Sequence, residues 1–189
     1  MIMPNGPAAY VGLAPRARAG VHAPMSACAS GAEALAWAWR LLQVGAADVV
    51  VAGGAESFIN PLVMAGFVRA RSMSTKTFAA QEASRPFDVD LNGFVLGEGA
   101  GLMVLERAGS AAARGARVYA RFTSVGMSND AYHITAPDPD HTGQSSAVTD
   151  ALRSAGLSRR TATTSTPMRP PPSSATIRWS PRPRADSAT

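Results

Sequence analysis

The 189-residue chain is 46% hydrophobic and 16% charged, long and apolar enough for one domain with a core. Its formal charge of +5 lies wholly at one end: residues 1–157 carry 12 basic and 12 acidic side chains, and residues 158–189 carry six arginines and one aspartate. That balance gives no support to nucleic-acid binding by a basic surface on the body of the chain. The single cysteine excludes an internal disulfide framework and suits a reducing compartment, and Asp48, Glu56 and Glu98 break the apolar runs short of a membrane span.

No charged segment followed by an apolar one opens the chain, so no secretory signal is expected and the protein reads as soluble and cytoplasmic. The first twenty residues are rich in Ala, Gly and Pro. Pro24-Met25-Ser26-Ala27-Cys28-Ala29-Ser30-Gly31 then surrounds the only cysteine with small residues. Residues 32–44 read as a helix, because Ala32, Leu35, Ala36, Trp39 and Leu42 recur at helical spacing and Gly45 stands where a stop belongs. Cys28 is thereby placed at or next to a helix N-terminus, where free N–H groups and the helix dipole favour an anion such as a thiolate. Such placement makes a nucleophile. The alternative is a buried structural cysteine, and spacing alone leaves both open.

Val49-Val50-Val51-Ala52, bounded by Asp48 and Gly53-Gly54, reads as a strand buried on both faces. Residues 57–92 form a long connection with a helix over 61–70, Pro61 suiting its first position. The 87–93 stretch has turn chemistry from Asp, Asn and Gly. Phe94-Val95-Leu96 and Leu102-Met103-Val104-Leu105 read as strand segments around a glycine-rich bend, and residues 117–127 as another strand. A helix over 143–155 is stopped by Gly156. Strand, helix, strand in this style argues for a layered α/β fold.

Glycines 97, 99 and 101 do not make a dinucleotide site, since that chemistry needs a helix N-terminus behind them and an apolar strand-like run follows instead. They are read as permitting a tight bend and close backbone approach. Asp88 and Asp90 lie two apart in a turn and Glu98 stands alone, so no acid–base carboxylate pair is expected. One Cys and three scattered His offer no metal-ligand spacing. His133 sits in an apparent loop, and His22 and His141 read as solvated loop residues.

The run Ser26-Ala27-Cys28-Ala29-Ser30-Gly31-Ala32-Glu33-Ala34 resembles the nucleophile segment of the β-ketoacyl-acyl carrier protein synthases, the condensing enzymes of fatty-acid and polyketide synthesis. Four further stretches match in the same order: Ala47-Asp48 through Gly53-Gly54-Ala55-Glu56, Ser84-Arg85-Pro86-Phe87-Asp88, Gly93-Phe94-Val95-Leu96-Gly97-Glu98-Gly99-Ala100-Gly101, and Ser128-Asn129-Asp130-Ala131-Tyr132-His133. Asn5-Gly6-Pro7-Ala8-Ala9 resembles an interior helix of the family. The resemblance runs from about Asn5 to Leu157.

The resemblance implies a partial thiolase-like fold in α/β/α layers. Residues 1–107 would be the nucleophile-bearing part of an N-terminal repeat, 108–157 the start of a second, and 158–189 a disordered tail of Arg, Pro, Ser and Thr. The 17 arginines against one lysine suit a GC-rich coding sequence that left its frame near Leu157, although Thr164 to Pro167 resembles a Thr-Ser-Thr-Pro of the family. Cys28 is implied as the acyl acceptor, with its own N–H in the oxyanion hole. Phe67 would border the acyl pocket and Arg71 its mouth, with a buried Phe and an exposed Arg as the plainer reading. His133 and Thr135 are implied to contact the phosphopantetheine arm of acyl carrier protein, or else to shape their loop. The carboxylates and Glu98 would be structural.

The family reaction transfers an acyl group to cysteine, then condenses it with the carbanion left by decarboxylation of malonyl-carrier protein. The second half uses two histidines in motifs that this sequence does not contain. No bound cofactor and no metal is implied; the partners are acyl carrier protein and, in the intact family, a second copy in a homodimer. Three readings result: a ketosynthase by family that is inactive alone, a non-catalytic piece pairing with intact subunits, and a basic tail binding nucleic acid or an acidic surface nonspecifically.

Overall fold

A computed structural model describes residues 3–75 and 79–161. The expected disorder and frame change of the tail lie outside the described residues from 162 onward, while Arg159–Thr161 at its start forms a single helical turn.

Helix α1 (Gly6–Leu13) begins with proline in its first turn. Helix α2 (Ser30–Gln43) buries Ala36, Ala38 and Leu42 and ends before Gly45, whose φ of +71° is the left-handed stop that the sequence suggested. Strand β1 (Val49–Ser57) follows, then α3 (Pro61–Arg69), capped where the Asn60 side chain accepts from the Val63 N–H at 3.0 Å. Strand β2 (Glu98–Glu106) leads to α4 (Ala108–Ala113), and α5 (Thr142–Ser154) closes the described fold before Gly156 at φ +67°.

β1 and β2 pair antiparallel from Val49 opposite Glu106 to Ser57 opposite Glu98. α2 packs on one face of this ribbon. Gly54 of β1 meets Gly31 of α2 there, close enough that a Cβ on Gly31 would lie 3.5 Å from the Gly54 Cα. Among the described residues the buried apolar ones are Ala36, Ala38, Leu42, Ala47, Ala52 and Ala111. With one leucine among alanines, the core is a thin seam that lets backbones approach.

Four expectations are corrected. β1 is not buried on both faces: Val50 and Ala52 turn toward α2, while Val49 and Val51 are exposed opposite Glu106 and Val104 of β2. Glycines 99 and 101 make no bend, because β2 runs straight through them opposite Glu56 and Gly54. Phe94-Val95-Leu96 is not a strand segment, and only Phe94 forms a single parallel bridge, to Met73. Residues 117–127 alternate but form no strand, since no neighbour offers them a ladder; they cross α5, where Ser124 Oγ donates to the Ala151 carbonyl at 2.8 Å.

Candidate active site

The chain reaches Cys28 through residues 20–26, which have no regular structure and are tethered by a ring stack. His22 lies parallel to Trp37 of α2, with centroids 6.3 Å apart and planes 6° apart, and the Arg40 guanidinium sits 6.0 Å from the same indole. His22 is exposed in a loop, as its context suggested, and its ring also meets α2. The backbone then takes a left-handed step at Ala27, φ +49°, and makes one 3-10 turn over Ala27–Ala29 directly into α2. Ser30 closes that turn: its Oγ accepts from the Ser26 N–H at 3.0 Å and donates to the Ala27 carbonyl at 2.7 Å. Cys28 stands in this turn with its side chain exposed. The buried structural alternative is removed.

The far end of α2 is fixed to the sheet. Arg107, just past β2, donates from Nη1 to the Leu42 carbonyl at 3.3 Å and pairs through Nη2 with Asp48. A cation at a helix C-terminus opposes its dipole, so this contact holds α2 in register with β1 and β2. At the other end of the sheet, the Glu98 carboxylate accepts from Ser57 Oγ at 2.7 Å and from the Ile59 N–H at 3.2 Å. Glu98 thus sets the exit of β1 toward α3.

Phe67 is half-buried on α3, edge-on to Phe94 at 6.3 Å. Arg71 is four residues on, but it lies beyond the end of α3 at φ +53° and is exposed, so helical spacing does not bring the two together. Gly93, at φ +107°, admits this packing: a Cβ there would lie 2.6 Å from the Met73 carbonyl carbon. The Phe94 N–H donates to the Ser72 carbonyl at 2.7 Å, and Asn92 Oδ1 accepts from the Thr75 N–H at 2.8 Å.

His133 shapes its own loop. Its Nδ1 accepts from the N–H groups of Thr135 and Ala136 at 3.2 and 3.1 Å. Both His133 and Thr135 are exposed. Upstream, Ser128 Oγ donates to the Gly143 carbonyl at 2.6 Å, and Asp130 Oδ2 accepts from the Asp138 N–H at 3.0 Å. Asp138 in turn accepts from Thr142 Oγ1, from the Asp140 N–H at 3.0 Å and from the Thr142 N–H at 3.1 Å, which holds its carboxyl below the usual aspartate range. His141 is half-buried with Nδ1 enclosed, which corrects the solvated reading.

No hydrogen bond or ring contact among the described residues links Cys28 to Phe67, Arg71, His133 or Thr135. The structure builds the turn that holds Cys28 and leaves Phe67 on α3, Arg71 just past that helix, and His133 and Thr135 together on a later loop. Sequence reasoning had passed over Ser30, Trp37 and Arg107. Ser30 carried a signal, a serine ahead of an apolar-periodic run; Arg107 carried none, because its partners lie 65 and 59 residues away. Among the described residues no group of three or more His, Cys, Asp or Glu gathers as a metal site, and no helix is long and apolar enough to cross a membrane.

Residues 1–111 match the family of the β-ketoacyl synthase N-terminal domain. The chain is 53% identical over 137 residues to the mitochondrial 3-oxoacyl-[acyl-carrier-protein] synthase of Arabidopsis thaliana, covering 72% of this chain and 30% of that one. It is 47% identical over 156 residues to 3-oxoacyl-[acyl-carrier-protein] synthase 2 of Mycobacterium tuberculosis, covering 82% and 37%. Among solved structures it is similar to a type II polyketide-synthase ketosynthase in complex with its acyl-carrier protein, at TM-score 0.78 and 31% identity over 82% of this chain and 38% of that one. The chain therefore spans about a third of the curated relatives it matches. Its fold is a part of the thiolase-like ketosynthase fold. Family match, fold and the cysteine turn at the head of α2 agree: the chain belongs to the β-ketoacyl synthase family.

Proposed function

We propose that this chain carries the acyl-accepting half of a 3-oxoacyl-acyl carrier protein synthase of fatty-acid or polyketide elongation. The observation that carries the reading is Cys28, exposed in the turn that launches α2, inside the stretch matched to the family. In the proposed step the Cys28 sulfur bonds to the carbonyl carbon of an acyl thioester on the phosphopantetheine arm. The tetrahedral oxyanion collapses, the carbon–sulfur bond to the arm breaks, and the proton lost by Cys28 ends on the departing pantetheine thiol. In this reading the backbone N–H of Cys28, in the turn that leads into α2, helps to stabilise the oxyanion. The carrier-protein partner is supported by the similar ketosynthase solved with its acyl-carrier protein. Homodimerisation and a cytoplasmic location belong to the same proposal.

The condensation half needs groups to stabilise the thioester enolate left by loss of carbon dioxide. The sequence has three histidines: His22 stacks on Trp37, His133 accepts within its own loop, and His141 precedes α5. The chain alone is expected to stop at the acyl-enzyme. Phe67, Arg71, His133 and Thr135 are proposed as pocket and arm contacts only in an assembled enzyme.

The test is mass spectrometry of the folded chain after incubation with an acyl-carrier-protein thioester, with Cys28→Ala as control. A single acyl adduct absent from the variant supports the reading; a folded chain that gains none overturns it. A second reading, a non-catalytic piece that pairs with intact ketosynthase subunits, is favoured by the uncovered Val49, Val51, Leu102 and Val104. It predicts co-elution with an intact ketosynthase and no adduct.

A further inference from the structure

We propose that Ser30 is a positioning residue for Cys28, an inference that rests on Cys28 being the acyl acceptor. The Ser30 hydroxyl ties together the peptide units on either side of Ser26-Ala27, the second of them leading into Cys28, accepting from the Ser26 N–H at 3.0 Å and donating to the Ala27 carbonyl at 2.7 Å. The same carbonyl also accepts from the Ser30 backbone N–H. Ala27 is thus clamped from one residue by both main chain and side chain.

What the clamp holds is a disfavoured conformation. Ala27 sits at φ +49°, where the Cβ of an ordinary residue crowds the backbone. A relaxed Ala27 would turn the following peptide plane, and with it the Cys28 N–H and the Cα–Cβ bond that aims the sulfur. Acyl transfer depends on both, since the attack angle and the oxyanion donor must be in place together. The sheet fixes only the residues beyond: Gly31 against Gly54 anchors α2 one residue after Ser30. Ser30 is therefore where the fixed helix grips the turn. Its oxygen need touch no substrate.

The role is distinct from simple helix capping. The hydroxyl does not serve an N–H inside α2; it reaches backward to residues 26 and 27. A serine that only stabilised α2 would alter folding stability without changing the geometry at Ala27.

The test uses the whole chain as wild type, Ser30→Ala, Ser30→Thr and Ser30→Val, with two readouts. Carbon-13 shifts of Ala27 report its backbone conformation, and acylation of Cys28 by an acyl-pantetheine thioester is compared with alkylation by iodoacetamide. We expect Ser30→Ala to lose the left-handed signature at Ala27 and to slow acylation about 10- to 100-fold. Alkylation, which needs no aligned carbonyl, should change by less than about threefold. Ser30→Thr should restore both readouts and Ser30→Val neither, a pair that differs by hydroxyl against methyl and so decides the matter even where Ser30→Ala folds poorly. Unchanged Ala27 shifts in Ser30→Val, or parallel loss of acylation and alkylation, would overturn the proposal. If wild type is not acylated, the acyl-acceptor reading fails by itself, and the Ala27 shifts still decide whether Ser30 holds the turn.

Discussion

Gly53 of β1 lies opposite Leu102 of β2 so closely that a Cβ on Gly53 would overlap the preceding Gly101 carbonyl oxygen and lie 2.9 Å from the Leu102 Cα. Backbone stands in the way there, and backbone cannot rotate aside. Gly53→Ala should therefore cost about 3 kcal/mol, the upper end of ordinary overpacking. The neighbouring Gly54 is different, since its Cβ would meet Gly31 Cα at 3.4 Å, an ordinary contact. Urea denaturation should show Gly53→Ala strongly destabilised and Gly54→Ala close to wild type. Equal midpoints would contradict the strand register.

Arg107 joins the C-terminal end of α2 to the sheet through Leu42 and Asp48. Both partners of the ion pair are well exposed, so its Coulomb contribution is small. Most of the effect comes from the carbonyl contact and the helix end. Arg107→Ala should cost about 0.5–1 kcal/mol. Arg107→Lys should recover only part of that, because one ammonium cannot span both acceptors as the fork does. Thermal unfolding of the three proteins in low and high salt separates the two terms.

Asp138 gives a pH dependence whose sign is fixed. Its hydrogen bonds from Thr142 Oγ1, the Asp140 N–H and the Thr142 N–H depress its folded-state value, with a smaller pull from His141. The folded state thus binds the proton less readily than the unfolded chain. Its contribution is fully present above the unfolded aspartate value of about 3.9 and is lost as pH falls through the lower folded value. Carboxyl-carbon titration by NMR should find Asp138 titrating below the unfolded aspartate value of about 3.9, with the amide signals at the start of α5 moving alongside it. Asp138→Asn should remove that low-pH transition.

The parallel stack of His22 on Trp37 should appear as energetic coupling between the arm before Cys28 and α2. A double-mutant cycle of His22→Ala and Trp37→Ala is expected to give about 0.5–1.5 kcal/mol. His22→Phe should retain most of it, since the contact is one ring face on another. Zero coupling would mean that residues 20–26 reach Cys28 untethered.

Local signals in the sequence were legible where local physics decides. Gly45 and Gly156 stop α2 and α5 at left-handed positions, and Pro61 takes the first position of α3. Cys28 was placed beside a helix start from periodicity alone, and its exposure needed the structure. What was misread depends on distant partners. Residues 117–127 have strand-like alternation, yet alternation describes one chain and a ladder needs two. The glycines at 97–101 suggested a bend, whereas two of them serve as flat strand positions opposite Glu56 and Gly54. Phe67 and Arg71 share helical spacing, but the helix ends between them.

The ribbon beneath α2 has packing on one side only. Its rigidity accordingly resides in the β1–β2 ladder, whose bonds are geometrically complete from Val49 to Ser57, and little of it in interdigitated side chains. Such a platform opens as one unit, and there is no thick interior to let part of it survive the loss of the rest. Amide hydrogen exchange should then show the two strands and the first turns of α2 sharing one low opening free energy. Each time the platform opens, the cysteine turn would lose its footing with it, so the lifetime of the geometry around Cys28 is the lifetime of the ladder.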